Sequence, residues 1–170
     1  MALIKDRKLT RDSWQLLEAG ADGVLPAIPA TGDVIVPFAV WRALREELIA
    51  RRARSGILLA GSDEPADIGN DLEHLEVIAV RFPSFTDGRG YSIARLLRER
   101  HGWRGELRAI GDIQRDQLYY LSRCGFDAFE LREGEDADSA IAAFNDFSEA
   151  YQTAVDRPVP LFRRREAESR

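Results

Sequence analysis

The chain has very few of the residues that bind metals and clusters. Its 170 residues include one cysteine, Cys124, and two histidines, His74 and His101. One chain of this composition does not supply the ligands of a usual structural zinc site or of a four-cysteine iron–sulfur site. It also has no nicotinamide fingerprint and no haem motif, so we expect no metal site and assign no cofactor. Cys124 precedes Gly125 at the end of a predicted helix, where we expect a buried, inert thiol.

Two further absences limit the partners and the compartment. The chain has 24 Lys and Arg against 29 Asp and Glu, so its net charge is −5 and it lacks a basic stripe for a nucleic-acid backbone. No stretch approaches the roughly 20 apolar residues of a membrane span, and charges stand where a signal peptide has its apolar run. The sequence therefore predicts a cytoplasmic protein that binds neither nucleic acid nor membrane.

The length of the chain and the positions of its Gly and Pro residues indicate the domain organisation. A hydrophobic content of 45% over this length fits a single α/β domain at residues 1–155. Residues 1–33 have weak periodicity and many Gly and Pro, so we expect an N-terminal flap, with a short helix from Trp14 that Asp12 or Ser13 caps. Residues 34–155 form the core. Residues 156–170 contain three consecutive arginines and predict a flexible basic tail.

Strand and helix patterns alternate through the core. Predicted strands cover residues 34–37, 56–60, 75–82, 106–111 and 126–131. Predicted helices cover residues 38–54, 68–74, 92–101, 113–124 and 136–155. Because each strand is followed by a helix, the pattern predicts βα units, hence a mainly parallel sheet with right-handed crossovers.

Within these strands, one face is apolar and the other carries an occasional charge. Ile78, Val80 and Phe82 share one face, whereas Arg81 and Arg108 fall on the opposite face of their strands. A doubly wound sheet buries both faces under helices, but the inward face of a β/α barrel can hold polar groups. About five strands are too few to close a barrel. We therefore expect a partial, half TIM-barrel-like array, which a second copy in a homodimer would complete or cover, with a flavodoxin-like open sheet as the alternative.

The loop from Arg81 to Ser92 is the most distinctive stretch of the chain. It follows a strand, and the C-terminal strand ends form the functional edge in both architectures. Arginines, glycine amides and the start of a helix favour a small anionic ligand there, although the spacing is neither that of a Walker loop nor that of a dinucleotide loop. An ordinary βα turn is equally consistent, with Asp87 or Ser92 capping the helix and Arg89 bracing a carboxylate. The predicted ligand-binding residues are Arg81, Asp87, Gly88, Arg89, Gly90, Tyr91, Ser92 and Arg108.

Asp112 is the one candidate catalytic residue, and two interpretations stay open for it. It stands at the end of a predicted strand, just before a predicted helix. Capping that helix is the commoner use of such an aspartate. The functional alternative makes Asp112 a general base that works beside an arginine-held anion. Tyr91 is similarly ambiguous, because it could contact a ligand or pack against the neighbouring helix.

The run from Phe82 to Ser92 resembles a bacterial family of unknown function whose members are commonly labelled as oxidoreductases involved in sulfite reduction. The likeness covers most of the chain, including Asp12 and Trp14, and its further matching segments are Leu96–Arg98, Glu106–Asp112, Arg123–Asp127 and Tyr151–Gln152. The resemblance implies a role in assimilatory sulfate and sulfite reduction beside the sirohaem-containing sulfite reductase. It supplies no catalytic residue.

The label and the residues point in different directions, because an oxidoreductase needs a cofactor and no cofactor motif is present. The leading hypothesis is therefore an accessory protein of sulfite reduction, which binds an anionic ligand or the sulfite reductase at the strand-end edge. One alternative is a small enzyme acting on a phosphorylated or sulfur-containing metabolite, with Arg81 and Arg89 holding the anion and Asp112 as base. The others are an oxidoreductase with an unrecognised cofactor site and a purely structural partner.

Overall fold

Eight strands in one sheet form the body of the protein in the computed structural model, which describes residues 2–18, 20 and 24–168. The strands are β1 (Ala2–Lys5), β2 (Lys8–Thr10), β3 (Trp14–Leu16), β4 (Asp33–Pro37), β5 (Ser55–Leu59), β6 (Val77–Phe82), β7 (Glu106–Gly111) and β8 (Ala128–Leu131). The helices are α1 (Phe38–Ala43), α2 (Arg45–Ala50), α3 (Arg89–Glu99), α4 (Leu118–Cys124), α5 (Ala137–Ala143) and α6 (Leu161–Glu168), with 3₁₀ segments at Pro65–His74 and Arg115–Gln117. None of the helices within these described ranges is long and apolar enough to cross a membrane.

The strand order shows which of the two predicted architectures forms. The order across the sheet is β2-β1-β8-β7-β6-β5-β4-β3, and from β4 to β8 each strand is parallel to the one before it in the chain. When every crossover is right-handed and the strand order does not reverse, the connecting helices all lie on one face of the sheet. The other face is then concave. A flavodoxin-like sheet reverses its order at a switch point, so that alternative is wrong. The expected half-barrel is confirmed.

The two edges of the sheet are joined by a very short link. β2 and β3 lie at opposite edges, yet only residues 11–13 separate them in the chain. Four Cα steps from Thr10 to Trp14 span at most about 14 Å. The sheet must therefore curl strongly, and its two edges face each other across the concave side.

The two faces of the sheet are packed as the alternation predicts. Ile78, Val80 and Phe82 lie in the large core beneath the helices. The concave face has a small apolar cluster made of Ile35, Leu58, Val77, Ala79 and Ile110, none of which is more than 5% exposed. The single chain already buries these side chains, so covering them does not require a second copy. The homodimer therefore stays a prediction, but the need to cover the concave face no longer supports it.

The N-terminal residues differ from the expectation. The short helix expected from Trp14 is wrong, because residues 14–16 form β3, which pairs in parallel with β4. The Asp12 carboxylate does accept a hydrogen bond from the Trp14 amide, at 3.0 Å, but the chain continues extended. Trp14 and Leu16 face inward with Gln15 between them, which is strand periodicity. The expected flap thus supplies three strands, and its residues 1, 19 and 21–23 lie outside the described part.

The two longest predicted helices are shorter than expected. The helix expected at residues 38–54 is divided at Leu44 into α1 and α2. The helix expected at residues 136–155 ends at Ala143, and residues 152–155 of the following segment hydrogen-bond to the end of α4. Arg123 there donates to the carbonyl of Gln152 at 2.6 Å, and its own carbonyl accepts from the Val155 amide at 3.1 Å. Within the predicted basic tail, α6 forms up to Glu168, and residues 169–170 are not described.

Candidate functional site

The loop that follows β6 is held in place on both sides of Phe85. The amide of Phe85 donates to Oδ2 of Asp112 at 2.9 Å, and its carbonyl accepts from Nε2 of Gln117 at 2.9 Å. The Asp87 amide donates to the carbonyl of Ser84 at 2.9 Å. The loop therefore has a fixed backbone, while the Phe85 ring itself is 51% exposed.

Asp112 connects two strand ends. Besides its bond to the Phe85 amide, its Oδ1 lies 3.1 Å from Nη1 of Arg132, just beyond β8. The interpretation of Asp112 as a helix cap is wrong, because Gln114 caps the 3₁₀ segment and forms a reciprocal capping box with Gln117. The role of Asp112 as a general base stays a prediction. Any substrate would have to compete with the contacts that this carboxylate already makes.

Asp87 and Arg89 form a local ion pair at the start of α3. Nη2 of Arg89 lies 2.6 Å from Oδ2 of Asp87, and the Arg89 amide donates to Oδ1 at 3.1 Å. These hydrogen bonds from the Arg89 side chain and backbone lower the pKa of the Asp87 carboxyl to about 2. The guanidinium lies over Gly61, where an added Cβ would come within 2.7 Å of Nε. Asp87 thus already balances the charge of Arg89, as expected if the loop is an ordinary βα turn in which Arg89 braces a carboxylate.

Two of the glycines near this loop are required by packing around Phe82. A Cβ at Gly90 would lie 2.4 Å from Cζ of the Phe82 ring. Gly111 has φ +98°, and a Cβ there would lie 2.4 Å from the Phe82 carbonyl oxygen. At Gly88, in contrast, the nearest atom to an added Cβ is Cδ2 of Tyr91, at 4.0 Å. Gly90 therefore lets α3 approach β6 closely, whether or not a ligand binds.

The remaining predicted rim residues have different surroundings. The Tyr91 ring packs between Phe82 and Tyr120, with centroids 5.4 and 5.2 Å away, and its hydroxyl accepts from Nε2 of Gln117 at 3.1 Å. Burial raises the pKa of Tyr91. Ser92 is exposed in the first turns of α3, after the helix has begun, so it does not cap the helix.

Arg81 lies away from the Phe85 loop, on the concave face. It forms an ion pair with Glu18 and lines a surface groove beside Phe38 and Leu58. Like Arg89, Arg81 has a carboxylate partner. The rim arginines are therefore poorly prepared to bind a free anion, because the anion would have to displace a carboxylate.

Arg108 is the predicted residue with the most unusual environment. It lies in the middle of β7 on the concave face and is 2% exposed. Its Nε donates to Oε1 of Glu106 and its Nη1 donates to Oδ2 of Asp12, both at 2.7 Å. Nη2 also lies 2.7 Å from the same Glu106 oxygen, but no group among the described residues is aligned to accept a hydrogen bond from it. Lys5 contacts the other oxygen of Glu106 at 2.8 Å.

Beside Arg108 the concave face encloses a cavity of about 290 Å³. Its walls come from both edges of the sheet and from the strands between them, with Ala2, Leu3, Asp12, Trp14, Leu16, Ile35, Ala79, Arg108, Ile110 and Glu130 as lining residues. The Glu130 carboxyl is half-buried, and its burial raises its pKa, although the positive charge of Arg108 opposes this rise. Prediction from the sequence found Arg108 but missed Asp12 and Glu130 as its neighbours. The alternation of side chains in β8 could have placed Glu130 on the concave face, because Glu130 shares a face with Ala128. No sequence pattern around Asp12 indicated its position.

Among the residues that the structure describes, no group of three or more histidine, cysteine, aspartate and glutamate side chains is arranged to hold a metal ion. Together the fold and these contacts define an α/β half-barrel protein. It has a buried ion network on its concave face and a fixed, aromatic loop at its strand-end edge.

Over residues 56–162 the sequence matches the family described as "Bacterial protein of unknown function (DUF934)". These 107 of 170 residues include β5 without its first residue, β6 to β8 and the whole Phe85 loop, and the chain belongs to this family. The family description names no reaction, so it does not extend to sulfite reduction. A search of curated proteins found no match.

Proposed function

We propose that the protein is an accessory protein of assimilatory sulfate and sulfite reduction that binds sulfite reductase through its strand-end edge. The pathway and the partner rest on the resemblance carried by Phe82 to Ser92. The binding surface rests on the contacts of the loop that contains Phe85. We call this surface the Phe85 edge; it comprises residues 83–89, Asp112 and Arg132.

The exposed ring of Phe85 is the observation that carries the proposal. Its side chain is 51% exposed, yet the backbone on which it stands is anchored through both its amide and its carbonyl. An aromatic side chain on a rigid backbone loses little conformational freedom on binding, and aromatic residues dominate the energetic centres of protein interfaces. Phe85 is therefore suited to be the anchor of a docking surface.

The charges around Phe85 also favour a protein partner over a free anion. Asp87 is paired with Arg89, and Asp112 with Arg132, so the edge carries balanced ion pairs. Such pairs can form the polar rim of an interface without the cost of displacing a carboxylate. A small anion, in contrast, would have to compete with an existing partner at each arginine.

The test is a direct binding measurement with purified sulfite reductase from the same bacterium. The unmodified protein is immobilised, and Phe85→Ser is compared with Phe147→Ser, which changes another phenylalanine of similar exposure, 63%, outside the Phe85 edge. We expect Phe85→Ser to weaken binding at least about tenfold, as for loss of an interface anchor. Phe147→Ser should bind like the unmodified protein. Absence of binding by the unmodified protein would contradict the proposal, as would equal binding by both variants.

A second candidate is an enzyme that acts on a phosphorylated or sulfur-containing metabolite at the same edge. The observation in its favour is the fixed carboxylate of Asp112, held at a strand end where catalytic groups of β/α barrels stand. In this case Arg89→Ala and Asp112→Ala should each prevent growth on sulfate as sole sulfur source while the protein stays folded. Full growth with both variants would exclude the edge as a catalytic site. A flavin or haem absorption band in the purified protein would instead favour the oxidoreductase alternative; we expect a colourless protein.

A further inference from the structure

The cavity on the concave face has one apolar side and one charged side. Trp14, Leu16 and Ile35 form part of the apolar side, from strands β3 and β4. Asp12 and Glu130 belong to the charged side, together with the buried Arg108. Its volume of about 290 Å³ is at the lower end of the range for small-molecule sites, which are also mostly apolar with a few convergent polar groups.

One carboxylate in the wall of the cavity lacks a hydrogen-bonded partner among the described residues. Arg108 contacts Glu106 and Asp12, and Lys5 contacts Glu106, so two cations and two carboxylates are paired with one another. Glu130 is the remaining charged side chain of the cavity wall, and no hydrogen bond or ion pair holds its carboxylate among the described residues. Arg108, the N-terminal amino group and Arg81 attract this carboxylate only from a distance, and the cost of its burial outweighs their effect. The cavity wall thus contains one carboxylate without a hydrogen-bonded partner among the described residues. A half-buried carboxylate is costly without a partner, so a ligand that supplies one is favoured.

We propose that this cavity binds a small organic cation, a primary ammonium or guanidinium group on a short apolar chain, with the cationic group on Glu130. The apolar part packs against Leu16 and Ile35. The indole of Trp14 adds an aromatic surface, to which a cation is attracted by the ring quadrupole. This ring already lies under one guanidinium, that of Arg54, at 5.1 Å from its centroid.

The same contacts disfavour an anion in the cavity, although Arg108 is part of its wall. The guanidinium is 98% buried and donates to two carboxylates, so an anion would have to displace Asp12 or Glu106. The anion would also approach the Glu130 carboxylate, which repels it. The sign of the preferred ligand is therefore opposite to that expected from the arginines in the sequence. This inference is independent of the Phe85 edge and of any partner there.

The experiment uses two probes of equal chain length and opposite charge, n-butylammonium and butyrate, on the full ¹⁵N-labelled chain. The indole N–H signals of the three tryptophans are followed at pH 7. Trp14 lines the cavity, whereas Trp41 is an internal control because its indole is bonded to Asp71 at 2.7 Å in the core. We expect n-butylammonium to shift the Trp14 signal saturably, and butyrate to leave it unchanged. A saturable response to butyrate equal to that of the ammonium, or no response to the ammonium, would overturn the proposal.

Two variants identify the site of binding. Glu130→Gln keeps the shape of the side chain and should weaken n-butylammonium binding at least about tenfold, because a charged hydrogen-bond partner is lost. Ala79→Ile fills the floor of the cavity without changing its charge and should also remove the Trp14 shift. A matched control, Glu133→Gln, removes an exposed carboxylate near the end of β8 and should bind like the unmodified protein. Equal affinity for the ammonium in Glu130→Gln would overturn the assignment of Glu130.

Discussion

Arg108 in β7 and Asp12 in the link between β2 and β3 form a hydrogen-bonded ion pair of 2.7 Å across 96 residues of sequence. The guanidinium is almost fully buried, and Glu106 holds its other side. Removing one partner from such a network leaves an uncompensated buried charge. The contact therefore fixes the link, and with it both edges of the sheet, to the concave face.

The first prediction concerns this network. Arg108→Met should lower the free energy of unfolding by about 3–5 kcal/mol, because it leaves the carboxylates of Asp12 and Glu106 without their buried partner. Urea unfolding monitored by circular dichroism measures the change. Adding Asp12→Asn to Arg108→Met should recover part of the loss, since one of the orphaned charges is then removed. An unchanged urea midpoint for Arg108→Met would contradict the buried ion network.

The second prediction tests whether packing against Phe82 requires a glycine at position 90 but not at position 88. Gly90→Ala should cost about 1–3 kcal/mol of unfolding free energy, because its Cβ would overlap the Phe82 ring. Gly88→Ala has open space and a φ of −83°, so it should change stability by less than about 0.5 kcal/mol. Adding Phe82→Leu should relieve part of the Gly90→Ala cost. Equal stability losses at the two glycines would show that the close approach to Phe82 does not decide the effect.

The third prediction concerns the anchoring of Phe85. Asp112→Ala removes the acceptor of the Phe85 amide and the partner of Arg132, so we expect a loss of about 1 kcal/mol and faster hydrogen exchange at the Phe85 amide. Asp112→Asn retains an acceptor oxygen and should keep most of the protection of that amide. Amide exchange followed by NMR distinguishes the variants. Unaltered exchange at Phe85 in Asp112→Ala would show that another contact holds the loop.

The fourth prediction is a pH dependence of stability due to Glu130. Burial raises its pKa in the folded protein, so between its ordinary value of 4.5 and that raised value the folded state binds more protons than the unfolded state. The contribution of Glu130 therefore becomes less favourable as the pH rises through this interval. The facing charges act in opposite directions, since Arg108, the N-terminal amino group and Arg81 lower this pKa whereas Asp12 raises it, and burial has the largest effect.

Glu130→Gln removes this titration while keeping the side-chain shape. The variant should unfold at higher urea concentration than the unmodified protein at pH 7, and the difference should disappear at pH 4. Urea unfolding of both proteins at unit pH intervals gives the comparison. If the variant instead unfolded at lower urea concentration than the unmodified protein at pH 7, the pKa of the Glu130 carboxyl would be lowered by folding and the prediction would be wrong.

Local periodicity was enough to predict the half-barrel and the side of the sheet on which Arg108 lies. Alternation within β6 and β7 separated Ile78 and Val80 from Arg108, and the helices cover the face that was expected. The packing role of Gly90 could not be predicted from periodicity, because it depends on the distance between α3 and the Phe82 ring. The contact of Arg108 with Asp12 could not be predicted either, because no residue near Asp12 indicates where a strand 96 residues later in the chain will lie.

The pairing of β1 with β8 has a consequence for the order of assembly. The strands from β4 to β8 each pair with their predecessor, so they can add one after another to β3 as the chain leaves the ribosome. Ala2 pairs with Leu131, and this contact waits until most of the chain has been made. Closing so large a loop is slow compared with local pairing. We therefore expect the hairpin β1–β2 to dock late, so that the cavity walled by Leu3 and Asp12 is the last part of the molecule to acquire its final shape.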